Sequence, residues 1–211
     1  MVRSAPFERH TERYEQWFET HEPTYRSELA AVDELLPSTD HGLEIGVGSG
    51  RFAGQLGIRH GVDPAMAMLF RAQERGITVV RGVAEALPYR ADRFDVAVVV
   101  TTICFVDDVT TTLEEARRVL EPGGQLVIGF VDRESPLGRR FETHREANPF
   151  YRVATFHSTA ELVGDLESAG FVDLTFVQTV FGSPEDMTEP EPVHPGSGEG
   201  SFVVVAGTIP D

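Results

Sequence analysis

Short apolar stretches alternate with longer amphipathic ones through the middle of the chain. Runs of apolar residues, continuous or alternating, predict five buried strands at residues 43–45, 58–63, 77–81, 93–100 and 125–131. Apolar residues spaced three and four apart predict the intervening helices, at residues 52–56, 64–75 and 110–120. Strands that alternate with helices favour a mainly parallel sheet covered by helices on both faces.

The two ends of the chain carry patterns of their own. Residues 7–36 place aromatic and apolar side chains at spacings of three, four and seven, which predicts two amphipathic helices broken near Pro23. Near the other end, a Ser-x-x-Glu capping box predicts a helix over residues 158–169. Alternation then predicts the sixth and seventh strands, at residues 171–181 and 201–208, with a loop rich in proline and glutamate between them.

The first strand runs into a turn with glycine at alternate positions, Glu-Ile-Gly-Val-Gly-Ser-Gly at residues 44–50. A strand, a glycine turn and a helix in succession place backbone N–H groups at a helix N-terminus, and without a Cβ the backbone is open to a ligand. Asp63 ends the second strand 17 residues after Gly46, close to the ~20 expected of a carboxylate that binds ribose hydroxyls. This predicts a nucleotide-binding site. A nicotinamide enzyme stays open at this point, because Ala53 is a tolerated substitute for the third glycine of the dinucleotide motif.

Three motifs resemble, in the same order, those of the class I S-adenosylmethionine-dependent methyltransferases. They are Glu-x-Gly-x-Gly-x-Gly at residues 44–50, Gly-Val-Ala-Glu-Ala-Leu-Pro at 82–88 and Arg-Val-Leu-Glu-Pro-Gly-Gly at 118–124. The resemblance runs in register from Leu43 to Val131. The Pro-Gly-Gly before the fifth strand is typical of this family and decides against the nicotinamide enzyme.

We therefore predict a three-layer α/β fold with a Rossmann-like, seven-stranded, mostly parallel sheet whose last strand is antiparallel. The whole chain should form a single domain. Residues 1–38 should form an N-terminal helical cap, residues 39–131 the cofactor-binding core, and residues 132–211 the acceptor-side insertion and the last two strands.

The resemblance implies S-adenosylmethionine as the cofactor. The residues it assigns to cofactor binding are Glu44, Gly46, Gly48, Gly50, Asp63, Pro64, Met68, Ala84, Glu85 and Thr101. Met68 would pack on the adenine ring through its flexible thioether, with simple core packing as the alternative. Val83 stands where the family often has an aspartate that binds the adenine amino group, which leaves the backbone of Ala84 and the carboxylate of Glu85 for that contact.

The acceptor should bind beyond the carboxyl ends of the strands, where open α/β sheets hold their ligands. The candidate acceptor contacts are Tyr14, Trp17, Thr102, Asp132, Arg152 and His157. Thr102 follows the fourth strand directly. In the family an N-terminal helix closes the acceptor pocket, which implies that one or more of its aromatics, Tyr14 and Trp17 among them, line it, with core packing as the alternative for each. The other three lie in the polar segment after the fifth strand, where a solvated loop is the alternative.

The charge balance limits the kinds of partner. The chain has 34 acidic residues against 18 basic ones, for a formal net charge of −16, and every basic residue is arginine. This balance opposes nonspecific nucleic-acid binding, which needs a basic surface. It also favours a neutral or cationic small acceptor over a phosphorylated one. Acidity without lysine is typical of a high-salt cytoplasm, whereas biased base composition would explain the arginine but not the acidity.

Several other functional classes are disfavoured. No apolar run approaches the ~20 residues of a membrane span, and the first residues lack the apolar segment of a secretory signal. The single cysteine, Cys104, cannot form an internal disulfide, which fits a cytoplasmic protein. Cys104 has no histidine near it in sequence, so a buried side chain is favoured over a nucleophile. His194 stands alone and predicts no metal site.

The predicted function is methyl transfer from S-adenosylmethionine to a small-molecule acceptor. Displacement at a sulfonium methyl needs alignment and exclusion of water more than a dedicated catalytic residue, so the lack of a visible catalytic dyad is expected. The alternative is a non-catalytic, S-adenosylmethionine-binding regulatory or assembly protein, which the lost adenine contact at Val83 would suit. An open path from the cofactor's methyl group to a pocket under Tyr14 and Trp17 would favour the enzyme.

Overall fold

The computed structural model describes residues 3–210, and its centre is a single eight-stranded sheet. The strands are β1 (Gly42–Ile45), β2 (His60–Asp63), β3 (Thr78–Arg81), β4 (Phe94–Val100), β5 (Leu120–Val131), β6 (Val172–Thr179), β7 (His194–Pro195) and β8 (Phe202–Thr208). Their order across the sheet is β3-β2-β1-β4-β5-β8-β6-β7. Strands β1 to β5 are parallel, and β8 is antiparallel to both of its neighbours. The predicted fold is confirmed, with the short edge strand β7 added inside the segment predicted to be a loop.

Helices cover both faces of this sheet. They are α1 (Ala5–Arg9), α2 (Thr11–Thr20), α3 (Glu22–Leu35), α4 (Arg51–Leu56), α5 (Met66–Glu74), α6 (Val109–Val119), α7 (Pro136–Thr143) and α8 (Thr159–Ser168). Within the described residues, the N-terminal region forms three helices and not the predicted two, because the chain breaks at His10 as well as at His21. Pro23 lies in the first turn of α3, where proline is tolerated. None of the helices in residues 3–210 is long and apolar enough to cross a bilayer.

The core lies on both sides of the central strands. On one face of β4, Val99 packs among residues of α6 and α8. On the other face, Val98 packs among residues of α3, α4 and α5. This confirms that the continuous apolar run of β4 is buried on both faces, as parallel strands covered by helices require. The carboxyl ends of β1, β2 and β4 are therefore held rigidly at one edge of the sheet.

The segment after β5 is more regular than its polar sequence indicated. Ser135 caps α7 by accepting a hydrogen bond from the N–H of Gly138, and two 3₁₀ turns follow at residues 145–147 and 151–153. Phe150 packs against Phe7 of α1, with ring centroids 5.0 Å apart. The post-β5 segment and the N-terminal helices therefore meet over the carboxyl edge of the sheet.

The capping box predicted for α8 is present. Ser158 Oγ accepts from the N–H of Glu161 at 3.3 Å, and the Glu161 carboxylate accepts from the N–H of Ser158 at 2.9 Å. Together these bonds satisfy two N–H groups at the start of the helix. They fix the start of α8, the helix that precedes β6.

Candidate functional site

The glycine turn after β1 is held against the end of β2. The N–H groups of Gly46 and Val47 both donate to the carbonyl of Val62, at 2.8 and 3.0 Å. Gly46 has φ +74° and Gly48 has φ +51°, a region that favours glycine. A Cβ on Gly46 would lie 2.2 Å from the Thr102 side chain, so this glycine allows β1 and the end of β4 to approach each other. At Gly48 the nearest atom to such a Cβ is the Tyr14 hydroxyl oxygen, at 3.4 Å.

Two residues of the glycine motif, Glu44 and Gly50, contact the helices next to the turn. Gly50 adopts φ +79° at the start of α4, where a Cβ would lie 3.1 Å from Ala72. Glu44 is buried and accepts from the N–H of Ala53 at 2.8 Å, which satisfies one free donor of α4. Burial raises the pKa of Glu44 to about 8. Glu44 and Gly50 thus line neither of the two cavities described below, and their contact with the cofactor stays a prediction.

A cavity of about 150 Å³ opens over this turn, and we call it the glycine cavity. The predicted residues that line it are Gly46, Gly48, Asp63, Pro64, Ala84, Glu85, Thr101 and Thr102. They come from the ends of three neighbouring strands and from the loop after β3. The topology thus brings together residues that lie up to 56 positions apart in the chain.

Asp63 is the anionic group best placed to bind a ligand in the glycine cavity. Its Oδ2 accepts from the N–H of Gly48 at 3.0 Å, and its Oδ1 accepts from the N–H of Ala65 at 2.8 Å. Burial raises the pKa of Asp63 to about 6, although these two hydrogen bonds work in the opposite direction. The carboxylate is therefore oriented on both sides and ionised at neutral pH.

The loop after β3 supplies the apolar part of this cavity. Val83 is 45% exposed and offers an apolar surface in place of the family's aspartate. Glu85 lines the cavity, but its Oε1 accepts from the N–H groups of Asp107 and Asp108, at 2.6 and 3.4 Å. The Glu85 carboxylate thus fixes the loop before α6.

Met68 does not contact this cavity. It lies on the inner side of α5 and is fully buried, and it is not part of the cavity lining. The contact with adenine stays a prediction, and the full burial of Met68 agrees with the alternative, core packing.

A second cavity of about 210 Å³ lies beside the first, and we call it the aromatic cavity. Its aromatic lining consists of Phe7, Tyr14, Trp17, Phe18, Phe52, Phe105, Phe130, Phe141, Phe150, Tyr151 and Phe156. The predicted residues Tyr14, Trp17 and His157 are among its walls. Burial lowers the pKa of His157, so its imidazole is neutral at pH 7. Burial raises the pKa of the Cys104 thiol, also in this wall, to about 12, so the sulfur is protonated.

The two cavities share one wall. Phe7, Tyr14, Thr101 and Phe105 line both of them. Thr101 ends β4 with φ +49°, an uncommon conformation for a threonine, and its N–H donates to the carbonyl of Gly129 at 2.8 Å. Such backbone strain is of order 1–3 kcal/mol and persists only where the surrounding structure imposes it. Thr101 therefore holds a fixed place between the two cavities.

Two of the predicted acceptor contacts lie outside both cavities. Asp132 accepts from the N–H of Thr159 at 3.1 Å and from the N–H of Glu134 at 2.7 Å, which ties the end of β5 to the start of α8. Arg152 is exposed and pairs with Glu146 at 3.5 Å. These side chains are held by groups of their own segment or of α8, and their contact with an acceptor stays a prediction. The Thr102 hydroxyl faces the glycine cavity and donates to the Gly46 carbonyl at 3.2 Å.

Two functional features escaped the sequence analysis. Glu15 of α2 is 5% exposed, and its Oε2 accepts from Arg51 at 2.8 Å and from Arg75 at 2.6 Å. This cluster ties the N-terminal helices to α4 and to the end of α5. Glu28 of α3 is 4% exposed and lines the aromatic cavity. The signal for Glu28 was in the chain, because the buried face of α3 has helical spacing: Thr24, Ser27, Glu28, Ala31 and Val32.

Comparisons with known proteins agree with this architecture. Residues 43–128 match a family model described as a methyltransferase domain. A crystal structure from Thermotoga maritima, described as a SAM-dependent methyltransferase and possible histamine N-methyltransferase, is 50% identical. The match covers 97% of this chain and 99% of that one, with a TM-score of 0.95.

Two curated relatives extend the comparison. An uncharacterized protein of Methanocaldococcus jannaschii is 38% identical over 200 residues, which cover 95% of this chain and 97% of the relative. An uncharacterized protein of Mycobacterium tuberculosis is 38% identical over 175 residues, and this match spans 61% of that longer protein. The similarity therefore includes the helices and strands on both sides of the family-model match.

Proposed function

The chain belongs to the S-adenosylmethionine-dependent methyltransferases, and from this membership we propose that it methylates a small molecule held in the aromatic cavity. The observation that carries the proposal is the shared wall: Phe7, Tyr14, Thr101 and Phe105 line both cavities. Methyl transfer requires donor and acceptor to meet in line within contact distance. Two adjoining cavities at the carboxyl edge of the sheet supply that arrangement.

The glycine cavity suits S-adenosylmethionine. The oriented Asp63 carboxylate is an acceptor for ribose hydroxyls. The backbone at Gly48 is open to close approach, because no Cβ occupies the space beneath Tyr14. Pro64, Val83 and Ala84 offer an apolar surface of the kind that an adenine ring needs. The carboxylate, the open backbone and the apolar surface of the glycine cavity together agree with the cofactor that the family uses.

When bound, S-adenosylmethionine supplies an activated methyl group on a sulfonium sulfur. The residues of this chain align and desolvate the reacting groups. The rings of Phe7, Tyr14 and Phe105 exclude water at the shared wall, and Thr101 holds the end of β4 at a fixed distance from both cavities. Direct transfer of the methyl group from cofactor to acceptor needs no nucleophile on the protein. The Cys104 thiol is protonated and does not act as a nucleophile.

The aromatic walls also narrow the acceptor class. A cavity lined by aromatic rings suits an apolar or aromatic body of small size. The Thermotoga maritima relative is described as a possible histamine N-methyltransferase, which is a precedent for an aromatic amine. The non-catalytic alternative has less support, because it gives no role to the adjoining aromatic cavity.

Formation of S-adenosylhomocysteine that depends on an added acceptor tests this function. The protein should be incubated with methyl-labelled S-adenosylmethionine and fractionated small-molecule extracts. Label should pass to a small molecule together with one equivalent of S-adenosylhomocysteine, and excess S-adenosylhomocysteine should suppress the transfer. Tight cofactor binding without transfer to any fraction would favour the regulatory binder.

A further inference from the structure

Glu28 places a buried carboxylate in the wall of the aromatic cavity. It lies on the inner face of α3, is 4% exposed, and is the one acidic residue among the cavity-lining residues that the structure describes. A carboxylate in such apolar surroundings is costly, because it has lost its water without gaining a partner. Burial accordingly raises its pKa to about 8.

No partner from this chain offsets that cost. Within residues 3–210, no N–H, hydroxyl or guanidinium group donates to the Glu28 carboxylate, and no arginine pairs with it. Its neighbour Thr24 donates to the sulfur of Met187 instead, at 3.2 Å. Glu15 is equally buried and shows the contrast, because Arg51 and Arg75 both pair with it. Glu44 also accepts a hydrogen bond, from the N–H of Ala53, so Glu28 differs from both of these buried acids in having no donor among the described residues.

We propose that Glu28 binds a positively charged nitrogen of the acceptor, so that the substrate of this methyltransferase is an amine with an aromatic or aliphatic body. The inference rests on the proposed function and names its substrate class. An ammonium group would supply the hydrogen-bond donors that Glu28 lacks. The surrounding faces of Tyr14 and Tyr151 would attract the same cation through their rings.

The other charged or titratable groups around the cavity are compatible with a cationic ligand. Arg13 is exposed at the cavity's edge, where water screens its charge. His157 is neutral at pH 7, because burial lowers its pKa. Tyr151 and Cys104 are protonated, because burial raises the pKa of both. Glu28, whose pKa burial raises to about 8, is protonated at pH 7 in the empty cavity, and a bound cation would favour its carboxylate form.

The test is a comparison of Glu28→Gln with Glu34→Gln. Glu34 is an exposed residue of the same helix, so the control makes the same charge change outside the cavity. Binding of phenethylamine and hexylamine, each paired with its alcohol, is measured by calorimetry on the protein with S-adenosylhomocysteine bound. Wild type and Glu34→Gln should bind at least one amine at least tenfold more tightly than its alcohol. Glu28→Gln should abolish that preference while leaving alcohol binding within about twofold.

The thermal melt separates ligand binding from a structural role. Because Glu28 has no partner to lose, Glu28→Gln should melt at or above the wild-type temperature. A fall in melting temperature would assign Glu28 to the fold and overturn the proposal. Amines that bind no better than their alcohols, or a preference that survives in Glu28→Gln, would overturn it as well.

Binding of the cofactor tests whether Glu28 interacts with the acceptor or with the sulfonium of S-adenosylmethionine. If Glu28→Gln weakened binding of S-adenosylmethionine but not of S-adenosylhomocysteine, the carboxylate would serve the sulfonium and the proposal would fail. Failure of the wild type to bind S-adenosylmethionine at all would overturn the proposed function. Methylation of uncharged acceptors with equal rates in wild type and Glu28→Gln would leave the function standing and remove only the amine assignment.

Discussion

Asp63→Asn should weaken the binding of both S-adenosylmethionine and S-adenosylhomocysteine by tenfold or more. The carboxylate has two oriented oxygens, held by the N–H groups of Gly48 and Ala65. An amide in its place would turn an NH₂ toward one of those donors and would lose the negative charge that faces the ribose. Hydrogen bonds to charged groups are worth about 1.5–3 kcal/mol, which corresponds to roughly ten- to a hundredfold in affinity. Calorimetry measures the change directly.

The control for this variant is Asp107→Asn. Asp107 lines the rim of the same cavity with a largely exposed carboxylate that pairs with Arg3. Its loss should change affinity by less than about threefold, because exposed pairs contribute little. Equal losses in both variants would show that only the net charge of the cavity matters. Unchanged affinity in Asp63→Asn would remove the ribose assignment.

The affinity for the cofactor should also depend on pH. Burial raises the pKa of Asp63 to about 6, and only the ionised form offers all of its lone pairs to the ribose. Wild-type affinity should therefore fall as the pH drops below about 6, and the Asp63→Asn variant should show no such fall. The affinities of wild type and Asp63→Asn, each measured as a function of pH, should converge at low pH if Asp63 is the titrating group.

Glu15→Gln should lower the free energy of unfolding by about 3 kcal/mol, the low end of the range for breaking a buried ion pair. The substitution leaves two guanidinium groups, of Arg51 and Arg75, without the negative charge that they share. The low end is expected because the side chains of Arg51 and Arg75 remain 19% and 32% exposed. Denaturant unfolding measures the loss.

Glu19→Gln is the matched control for this variant. Glu19 lies on the same helix and is 73% exposed, with Arg51 at 3.9 Å, so the same charge change there should cost less than about 1 kcal/mol. A loss as large as that of Glu15→Gln would contradict the buried-pair explanation.

The pH dependence of the Glu15 contribution has a defined sign. Burial alone would raise the pKa of Glu15, but the Ser49 hydroxyl and the guanidinium groups of Arg51 and Arg75 together outweigh it and hold the pKa below its usual value. A depressed pKa contributes stability above the ordinary carboxyl pKa of about 4.3, and this contribution is lost as the pH falls through the folded-state value. The difference between wild type and Glu15→Gln should therefore be complete at neutral pH and should shrink in acid. A difference that grew in acid would contradict the assignment.

The Glu15 cluster also connects stability to function. It joins α2, which carries Tyr14 and Trp17, to the helix that follows the glycine turn. Arg75 additionally donates to the carbonyl of Ser49 in that turn, at 2.7 Å. The cap that closes the aromatic cavity and the turn that shapes the glycine cavity are thus held by the same three side chains.

The position of the glycine turn could be predicted from the sequence because the backbone conformation of the turn depends on its own residues. Gly46 must be glycine because its φ is positive and because a Cβ would clash with Thr102. The acid at the end of β2, Asp63, follows this turn at the sequence separation that a ribose-binding carboxylate usually has. For the same reason the sequence located the edge of the sheet at Thr101. These features depend on strand order and turn geometry, which the apolar pattern already specifies.

The predicted contacts that line neither cavity share a different cause. Glu44, Asp132 and Arg152 were placed by proximity to a motif or a strand end, but each side chain is held by a nearby donor or charge. The partner of Asp132 lies 27 residues away on α8, a distance over which no periodic pattern carries information. Met68 shows the same limit, since spacing alone cannot tell which side of α5 faces a cavity.

The central claim is that the glycine cavity holds the cofactor with its sulfur at the wall shared with the aromatic cavity. A crystal structure of the protein with S-adenosylhomocysteine bound is the most direct measurement of it. The ribose hydroxyls should donate to Asp63, and the thioether sulfur should lie beside Thr101 and Tyr14, facing the aromatic cavity. A cofactor bound elsewhere, or a sulfur separated from the aromatic cavity by closed protein wall, would contradict the claim.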